Sequence, residues 1–185
     1  MTPWISTFLE AQAAELGASN NTLLAYGRDL RDFEAWLTRA AFNFLDATQD
    51  EVENYLIYCD AQGLAKSTRA RRLSSIKQIY RFAFEEGWRE DNPAIQVAGP
   101  SLDKRLPKTL SIEEVDKLLL AARSHKNDPL RNTCLLELLY ATGMRVTELV
   151  GLPVSSVRGD PRALLILGKG GKERIVPLSP PAREA

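Results

Sequence analysis

Residues 66–84 read KSTRARRLSSIKQIYRFAF, and two patterns run through this stretch together. Apolar side chains recur at spacings of three and four residues, which is the period of one helix face. Six basic side chains accompany them, and residues 61–84 contain no acid. The apolar stripe consists of Leu73, Ile76, Tyr80 and Phe84, and the basic residues are Lys66, Arg69, Arg71, Arg72, Lys77 and Arg81. The stretch predicts an amphipathic helix, capped by Ser67, whose cationic side chains flank a buried stripe.

The charge of this helix contrasts with that of the chain around it. The 185 residues carry 24 basic and 24 acidic side chains, yet residues 1–60 have only three basic side chains against ten acids. A block of like charge raises a local positive potential whatever the total charge is. Two interpretations stay open at this point: a solvated helix face, or a helix that contacts the phosphates of a nucleic acid.

Three further helices are predicted before residue 66. The apolar stripes of the first two consist of Trp4, Ile5, Phe8, Leu9 and Leu16, and of Leu23, Tyr26, Leu30, Phe33 and Leu37. Asn20 or Asn21 is the expected cap of the second helix, and Thr48 with Glu51 forms a capping box for the third. Four amphipathic helices can enclose a small core, so residues 1–95 are predicted to be a helical domain.

A linker and a second domain are predicted to follow. Residues 91–110 contain three prolines and no helical period, and the linker is assigned to residues 96–110. Two interpretations of its basic residues, Lys104, Arg105 and Lys108, stay open: they contact a polyanion along its length, or they only keep the linker solvated. Residues 111–185 begin with a capping box and continue into an apolar helix that is expected to be buried. They end in two short apolar runs, residues 164–167 and 175–178, which predict a β-hairpin.

Arg145 is the first candidate for chemistry in the second domain. The sequence around it reads ATGMRVTEL, residues 141–149, so a glycine turn is expected to place Arg145 at the start of a short helix. A guanidinium there presents a planar fork that suits two oxygens of a phosphate. The alternative is a simple ion pair between Arg145 and Glu148, which lie three residues apart on one helix face.

The glycine-rich segment GKGGKER, residues 168–174, is the second candidate. Its glycines permit close approach to a backbone, and Lys169 and Lys172 supply point charges and proton donors. The spacing is not that of a nucleotide-binding P-loop, and a strand follows where such a loop leads into a helix. The alternative is a flexible, soluble turn.

Composition excludes several other classes of protein. Hydrophobic residues make up 44% and charged residues 26%, which is typical of a globular chain. No apolar run reaches the roughly 18 residues that span a bilayer, and no secretory signal is evident, so no membrane partner is expected. Cys59 and Cys134 lie far apart and there is one histidine, so neither a metal site nor a cofactor is expected. A reduced cytoplasmic location fits this cysteine usage best.

Five segments, taken in order, resemble the tyrosine recombinase (phage integrase) family, and specifically its XerC/XerD branch. They are residues 21–30, residues 67–74 together with 80–82, the linker segments 92–94 and 106–108, residues 140–149 and residues 168–174. The resemblance covers nearly the whole chain. It implies a mainly α protein: an N-terminal four-helix, SAM-like core-binding domain, and then the first part of an α+β catalytic domain with one β-hairpin.

The resemblance also implies an activity. Family members cut and rejoin DNA through a 3′-phosphotyrosyl intermediate, in which arginines stabilise the transition state and a lysine protonates the leaving oxygen. By position, Arg145 matches the first catalytic arginine and Lys169 the general acid, with Lys172 as the less favoured candidate for that acid. The expected partners are double-stranded DNA and other protomers in a tetrameric synapse. The residues expected to contact DNA are Lys66, Arg69, Arg71, Arg72, Lys77, Arg81, Lys172 and Arg174.

The sequence departs from the family pattern after the hairpin. The family's His-x-x-Arg motif and nucleophilic tyrosine follow the hairpin, whereas none of the five tyrosines of this chain lies beyond Tyr140. The sequence is therefore expected to be a truncated recombinase that binds DNA without cleaving it. The alternative functions are a non-catalytic DNA-binding module or antagonist of a full-length recombinase, and a helical interaction domain with a solvated basic face.

Overall fold

A computed structural model describes residues 3–101, 109–157 and 162–185. Its tertiary contacts divide the chain into two compact units, residues 1–105 and residues 106–185. The expected fold is confirmed: the chain is mostly helical, with one two-stranded antiparallel hairpin in the second unit. The basic linker residues Lys104, Arg105 and Lys108 lie outside the described residues.

Four helices form the first unit. They are α1 (Pro3–Ala14), α2 (Asn20–Arg39), α3 (Gln49–Ala61) and α4 (Lys66–Glu85). The predicted capping box of α3 is present: the Thr48 side chain accepts from the first turn, and Glu51 accepts from the Thr48 backbone N–H at 2.8 Å. Helices α2 and α4 pack against each other, and each of them also contacts both α1 and α3, so this pair forms the centre of the unit.

Aromatic side chains fill the core of the first unit. Phe33 of α2 is fully buried, and its ring contacts those of Trp36, Phe44, Tyr55 and Tyr80 at centroid distances between 4.9 and 6.4 Å. Tilted and edge-on ring pairs at these distances add to the free energy gained by burying apolar surface. Ala94 and Val97 are also buried in this core, so packing continues beyond residue 95.

Four local predictions for the first unit are wrong. Leu16 was expected in the apolar stripe of the first helix, but α1 ends at Ala14 and Leu16 is 70% exposed. Ser19, rather than Asn20 or Asn21, caps α2, and its hydroxyl accepts from the Thr22 backbone N–H. Ala65 occupies the cap position of α4, so Ser67 lies inside the helix and does not cap it. Phe84 was expected in the buried stripe, but it is 52% exposed, because at 3.6 residues per turn it is rotated by about 80° from the buried Ile76, towards the side of Lys77.

Within the described residues, the second unit contains four α-helices, a 3₁₀ helix at Val154–Val157 and the hairpin. Its helices are α5 (Ile112–Arg123), α6 (Pro129–Thr142), α7 (Val146–Val150) and α8 (Pro180–Glu184), and its strands are β1 (Ala163–Leu167) and β2 (Glu173–Pro177). The strands pair antiparallel, with Leu164 opposite Val176 and Ile166 opposite Arg174. Met144, Leu149, Leu164 and Ile166 form the buried core, against which leucines of α6 pack.

The prediction that α6 is buried all round is wrong. Its leucines at positions 135, 136, 138 and 139 are only half-buried, and Leu130 and Tyr140 are exposed. The most buried side chain of α6 is Glu137, which accepts from Arg123 Nη2 at 2.8 Å. Within the described residues α6 contacts α5, α7, β2 and α8, and these short elements leave part of its surface uncovered.

In the described part of the chain, no helix has the length and apolar character required to cross a membrane.

Candidate nucleic-acid interface and phosphate site

The solvent-facing side of α4 is polar and cationic. Lys66, Arg71 and Arg81 are exposed and Lys77 is half-buried, while Ser67 and Ser74 lie between them. At 3.6 residues per turn, Lys66, Lys77 and Arg81 fall within about 60° of one another, on one flank of this side. We call the side formed by Lys66, Ser67, Arg71, Ser74, Lys77, Gln78 and Arg81 the outer face of α4. It has the donors and positive charge that phosphate binding requires.

Arg69 and Arg72, by contrast, are turned into their own domain. Their side chains are only 15% and 18% exposed. Arg69 pairs with Asp60 of α3 at 2.9 Å, and Arg72 pairs with Asp32 of α2. These two arginines were expected to contact DNA, but the geometry gives them the structural role of joining α4 to α2 and α3.

Tyr55 completes the ion-pair network around Arg72. The Tyr55 hydroxyl donates to Asp32 Oδ2 at 2.6 Å and accepts from Arg72 Nη1 at 2.9 Å. Burial, with the nearby Asp32 carboxylate, raises the pKa of Tyr55 far above its ordinary value, so the phenol stays protonated as a donor. Three helices are thereby tied together by polar contacts at the edge of an apolar core.

Arg71 combines exposure with a fixed anchor. Its side chain is 45% exposed, and its Nη1 donates to Asp29, a carboxylate that is 1% exposed. Ser75, one helical turn after Arg71, donates to the same Asp29 oxygen at 2.9 Å. The guanidinium of Arg71 is thus held at one end while part of its surface remains open to a ligand.

The second unit positions Arg145 through a tight turn. Gly143 ends α6 with φ of 60°, in the left-handed region that glycine adopts without strain, and α7 begins directly after Arg145. The Arg145 backbone N–H donates to Glu148 Oε2 at 2.8 Å, and Arg145 Nη1 donates to Glu148 Oε1 at 3.1 Å. The predicted Arg145–Glu148 pair is therefore present, and Arg145 itself remains 70% exposed.

Arg174 of β2 contacts the same carboxylate. Its Nη2 lies 2.7 Å from Glu148 Oε2 and its Nη1 lies 3.3 Å from Oε1, so its fork spans both oxygens. Glu148 is 8% exposed and accepts from two arginines at once. Hydrogen bonds from Arg174 and from the Arg145 backbone hold the pKa of Glu148 at about 2, well below its ordinary 4.5.

The turn between the strands carries the two candidate lysines. Lys169–Gly171 forms a single 3₁₀ turn, and Gly170 and Gly171 both have positive φ. Lys172 is exposed. The side chain of Lys169 lies outside the described part of the chain, so its assignment as general acid stays a prediction.

The low pKa of Glu148 predicts an acid-sensitive second unit. Because the folded-state pKa is lowered, the stability that Glu148 contributes is fully present above about pH 4.5 and is lost as pH falls towards 2. We expect the melting temperature of the second unit to fall across this window. In Glu148→Gln the unit should melt lower at pH 7 and should lose less on acidification. Thermal melts of both proteins from pH 7 to pH 2 measure this, and parallel curves would contradict it.

Comparison with family models identifies both units. Residues 5–87 match the model described as phage integrase, N-terminal SAM-like domain, and residues 108–185 match the model described as phage integrase family. The chain belongs to the phage integrase family of tyrosine recombinases. The resemblance seen in the five segments of sequence is thus confirmed.

Curated tyrosine recombinases are similar over nearly the whole chain. The tyrosine recombinase XerD of Caulobacter vibrioides is 44% identical over 183 residues, which cover 98% of this chain and 60% of that protein. The XerD of Rhizobium meliloti is 45% identical over 189 residues, covering 98% of this chain and 61% of that protein. The chain spans about three fifths of the length of these curated tyrosine recombinases.

Solved recombinase structures share the fold. A lambda integrase tetramer bound to a Holliday junction aligns with a TM-score of 0.73 at 22% identity, over 95% of this chain and 48% of that one. The XerH site-specific recombinase, in a pre-cleavage complex with its difH substrate, aligns with a TM-score of 0.68 at 20% identity, over 96% of this chain and 63% of that one.

Proposed function

We propose that this chain is part of a site-specific DNA recombinase, in which it holds duplex DNA and supplies the first arginine that binds the scissile phosphate. The observation that carries the proposal is Arg145, a 70% exposed arginine anchored through its backbone and side chain to Glu148. It occurs in a chain that is 44% identical to a tyrosine recombinase over almost all of its length.

DNA binding by the first unit would rest on the outer face of α4. Lys66, Arg71, Lys77 and Arg81 supply charge that can replace the counterions around phosphates. Arg71 is the best candidate for a base contact, because its anchor on Asp29 limits the entropy that it loses on binding. Arg69 and Arg72 support this face from behind, since both are paired within the domain.

The second unit would act on the phosphate itself. The permanently charged Arg145 binds non-bridging oxygens and stabilises the negative charge that develops when a nucleophile attacks phosphorus. As the P–O5′ bond breaks, a lysine of the turn, proposed to be Lys169, gives its proton to the leaving 5′ oxygen. Lys172 remains the second candidate for this proton transfer and for phosphate contact.

We further propose that the complete protein works in the cytoplasm with other protomers. The lambda integrase neighbour is a tetramer on a Holliday junction, and the XerH neighbour is a DNA complex. These assemblies support double-stranded DNA and recombinase protomers as the partners of this chain.

The chain itself is expected to bind DNA without covalent attachment. Of its five tyrosines, only Tyr140 belongs to the same unit as Arg145, and it precedes Arg145 in the chain instead of following the hairpin. We expect no protein–DNA adduct after incubation with nicked duplexes, as judged by denaturing electrophoresis. An adduct that disappears in Tyr140→Phe would make Tyr140 the nucleophile and would contradict the assignment.

A further inference from the structure

We propose that Arg174 is a positioning residue for Arg145, acting through Glu148, instead of a direct contact to DNA. The inference rests on the proposed function, because it assigns a task within the same phosphate site. It replaces the expectation from sequence that Arg174 binds DNA. It also links the hairpin that carries Lys169 to the helix that begins at Arg145.

The hairpin register gives the first argument. Side chains alternate between the two faces of a strand, and Arg174 lies opposite Ile166, which is buried. Glu173 and Ile175 are on the exposed face, whereas Arg174 and Val176 are half-buried on the inner face. An arginine that faces a core requires a partner there, because an unpaired charge is costly to bury.

Glu148 is that partner, and its oxygens are shared in a specific way. Arg174 spans both of them through Nη1 and Nη2, which fixes the plane of the carboxylate. Arg145 donates one hydrogen bond to each oxygen, from Nη1 to Oε1 and from its backbone N–H to Oε2. The orientation of the Arg145 side chain therefore depends on a carboxylate plane that Arg174 sets.

Exposure separates the roles of the two arginines. Arg145 is 70% exposed and Arg174 is 38% exposed, although they share one carboxylate. The more exposed guanidinium has the surface that a phosphate can reach. The less exposed one has both of its terminal nitrogens bonded to Glu148.

Gly168 provides an independent sign that Arg174 is closely packed. A Cβ added to Gly168 would lie 3.0 Å from Arg174 Nη1 and 3.2 Å from the Lys172 carbonyl oxygen. The strand end therefore approaches the guanidinium as closely as a glycine allows. The same glycine donates its N–H to Lys172 O at 2.7 Å. Gly168 therefore both closes the start of the turn and packs against the guanidinium of Arg174.

The test uses the chain without DNA. Carbon-13 NMR of the Glu148 carboxylate reports its pKa, and nitrogen-15 NMR of the arginine side chains reports how fast the Arg145 guanidinium rotates. The variants are Arg174→Met, which removes the charge, and Arg174→Lys, which keeps a charge but can hold only one oxygen at a time. Arg183→Met is the matched control, because Arg183 is an exposed arginine in the last turn of α8.

In Arg174→Met we expect the pKa of Glu148 to rise from about 2 towards 4.5 and the rotation of Arg145 to become several-fold faster, with backbone signals of the hairpin and α7 retained. Arg174→Lys should leave the pKa lowered but should still free Arg145, and the control should change neither property. Unchanged Arg145 rotation in the two Arg174 variants would overturn the proposal, even if the pKa of Glu148 moved. If Arg174→Met does not fold, Arg174→Lys alone decides. Failure of the unaltered chain to bind duplex DNA would refute the proposed function. The effect of Arg174 on the rotation of Arg145 could still be measured in that case.

Discussion

Replacing Lys66, Lys77 and Arg81 together with alanine is expected to weaken duplex binding by roughly 10²–10³-fold near 0.1 M salt. The slope of log affinity against log salt concentration is negative, and each lost phosphate contact should make it less steep by about 0.9. The three cations lie on one flank of the outer face of α4, where Arg81 also pairs with Glu85 at 2.8 Å. An exposed pair of this kind is weak, so a phosphate can compete for the guanidinium. Fluorescence anisotropy with a labelled duplex from 50 to 200 mM salt, the range over which counterion release is readily resolved, measures both effects.

The matched control removes the same charge from another surface. Lys117, Lys126 and Arg131 are three exposed cations of the second unit, and none lies in the glycine-rich turn or beside Arg145. Their replacement with alanine is expected to leave the salt slope nearly unchanged. Equal losses in the two triple variants would mean that total charge, and not the outer face of α4, governs binding.

Phe33→Ala is expected to destabilise the first unit by about 3–5 kcal/mol. Phe33 is fully buried and contacts four other aromatic rings, so its removal leaves a cavity among side chains from α2, α3 and α4. The loss should appear as a lower denaturation midpoint for the first unit, with little effect on the second. Urea titration followed by tryptophan fluorescence measures it, because all three tryptophans lie in the first unit.

Ile57→Ala is the control for this prediction. Ile57 is on α3, close in sequence to the buried Tyr55, but it is 65% exposed. Its replacement should change the free energy of unfolding by no more than about 0.5 kcal/mol. Similar losses for Phe33→Ala and Ile57→Ala would show that the aromatic cluster is not the core of the first unit.

Local patterns in the sequence predict most of the fold. Thr48 with Glu51 and Ser111 with Glu114 are capping boxes in the structure, because both partners of each box lie within one helical turn. The stripe of α4 is correct for Leu73, Ile76 and Tyr80, which are all buried. Both strands of the hairpin are also found where the apolar runs predict them. Contacts between residues three or four positions apart can be predicted directly from the spacing of residue types in the sequence.

Long-range ion pairs account for most of what the sequence did not reveal about the site. Arg72 and Asp32 are separated by 40 residues, and Arg71 and Asp29 by 42. A basic run without acids looks like a free cationic surface until helix packing brings α2 and α3 against it. The acids of residues 1–60 hold Arg69, Arg71 and Arg72, and only the first and last of these three are largely withdrawn from solvent.

The role of Arg174 was hidden for a related reason. The sequence predicts Glu148 beside Arg145, but the contact between Glu148 and Arg174 spans 26 residues. One signal was present: the period of two in β2 places Arg174 on the same face as Val176. An arginine on the inner face of a predicted strand is a reason to look for a buried acid before assigning it to a ligand.

Salt-dependent binding of the unaltered chain to duplex DNA tests the central claim most directly. Contacts from Lys66, Arg71, Lys77 and Arg81 in the first unit, and from Arg145 and Lys172 in the second, predict a slope of log affinity against log salt of about −5. We expect the unaltered chain to show a slope near this value. We expect a less steep slope in the triple variant of α4 and in Arg145→Ala. Failure to bind duplexes in dilute buffer, or binding that salt does not weaken, would contradict the account.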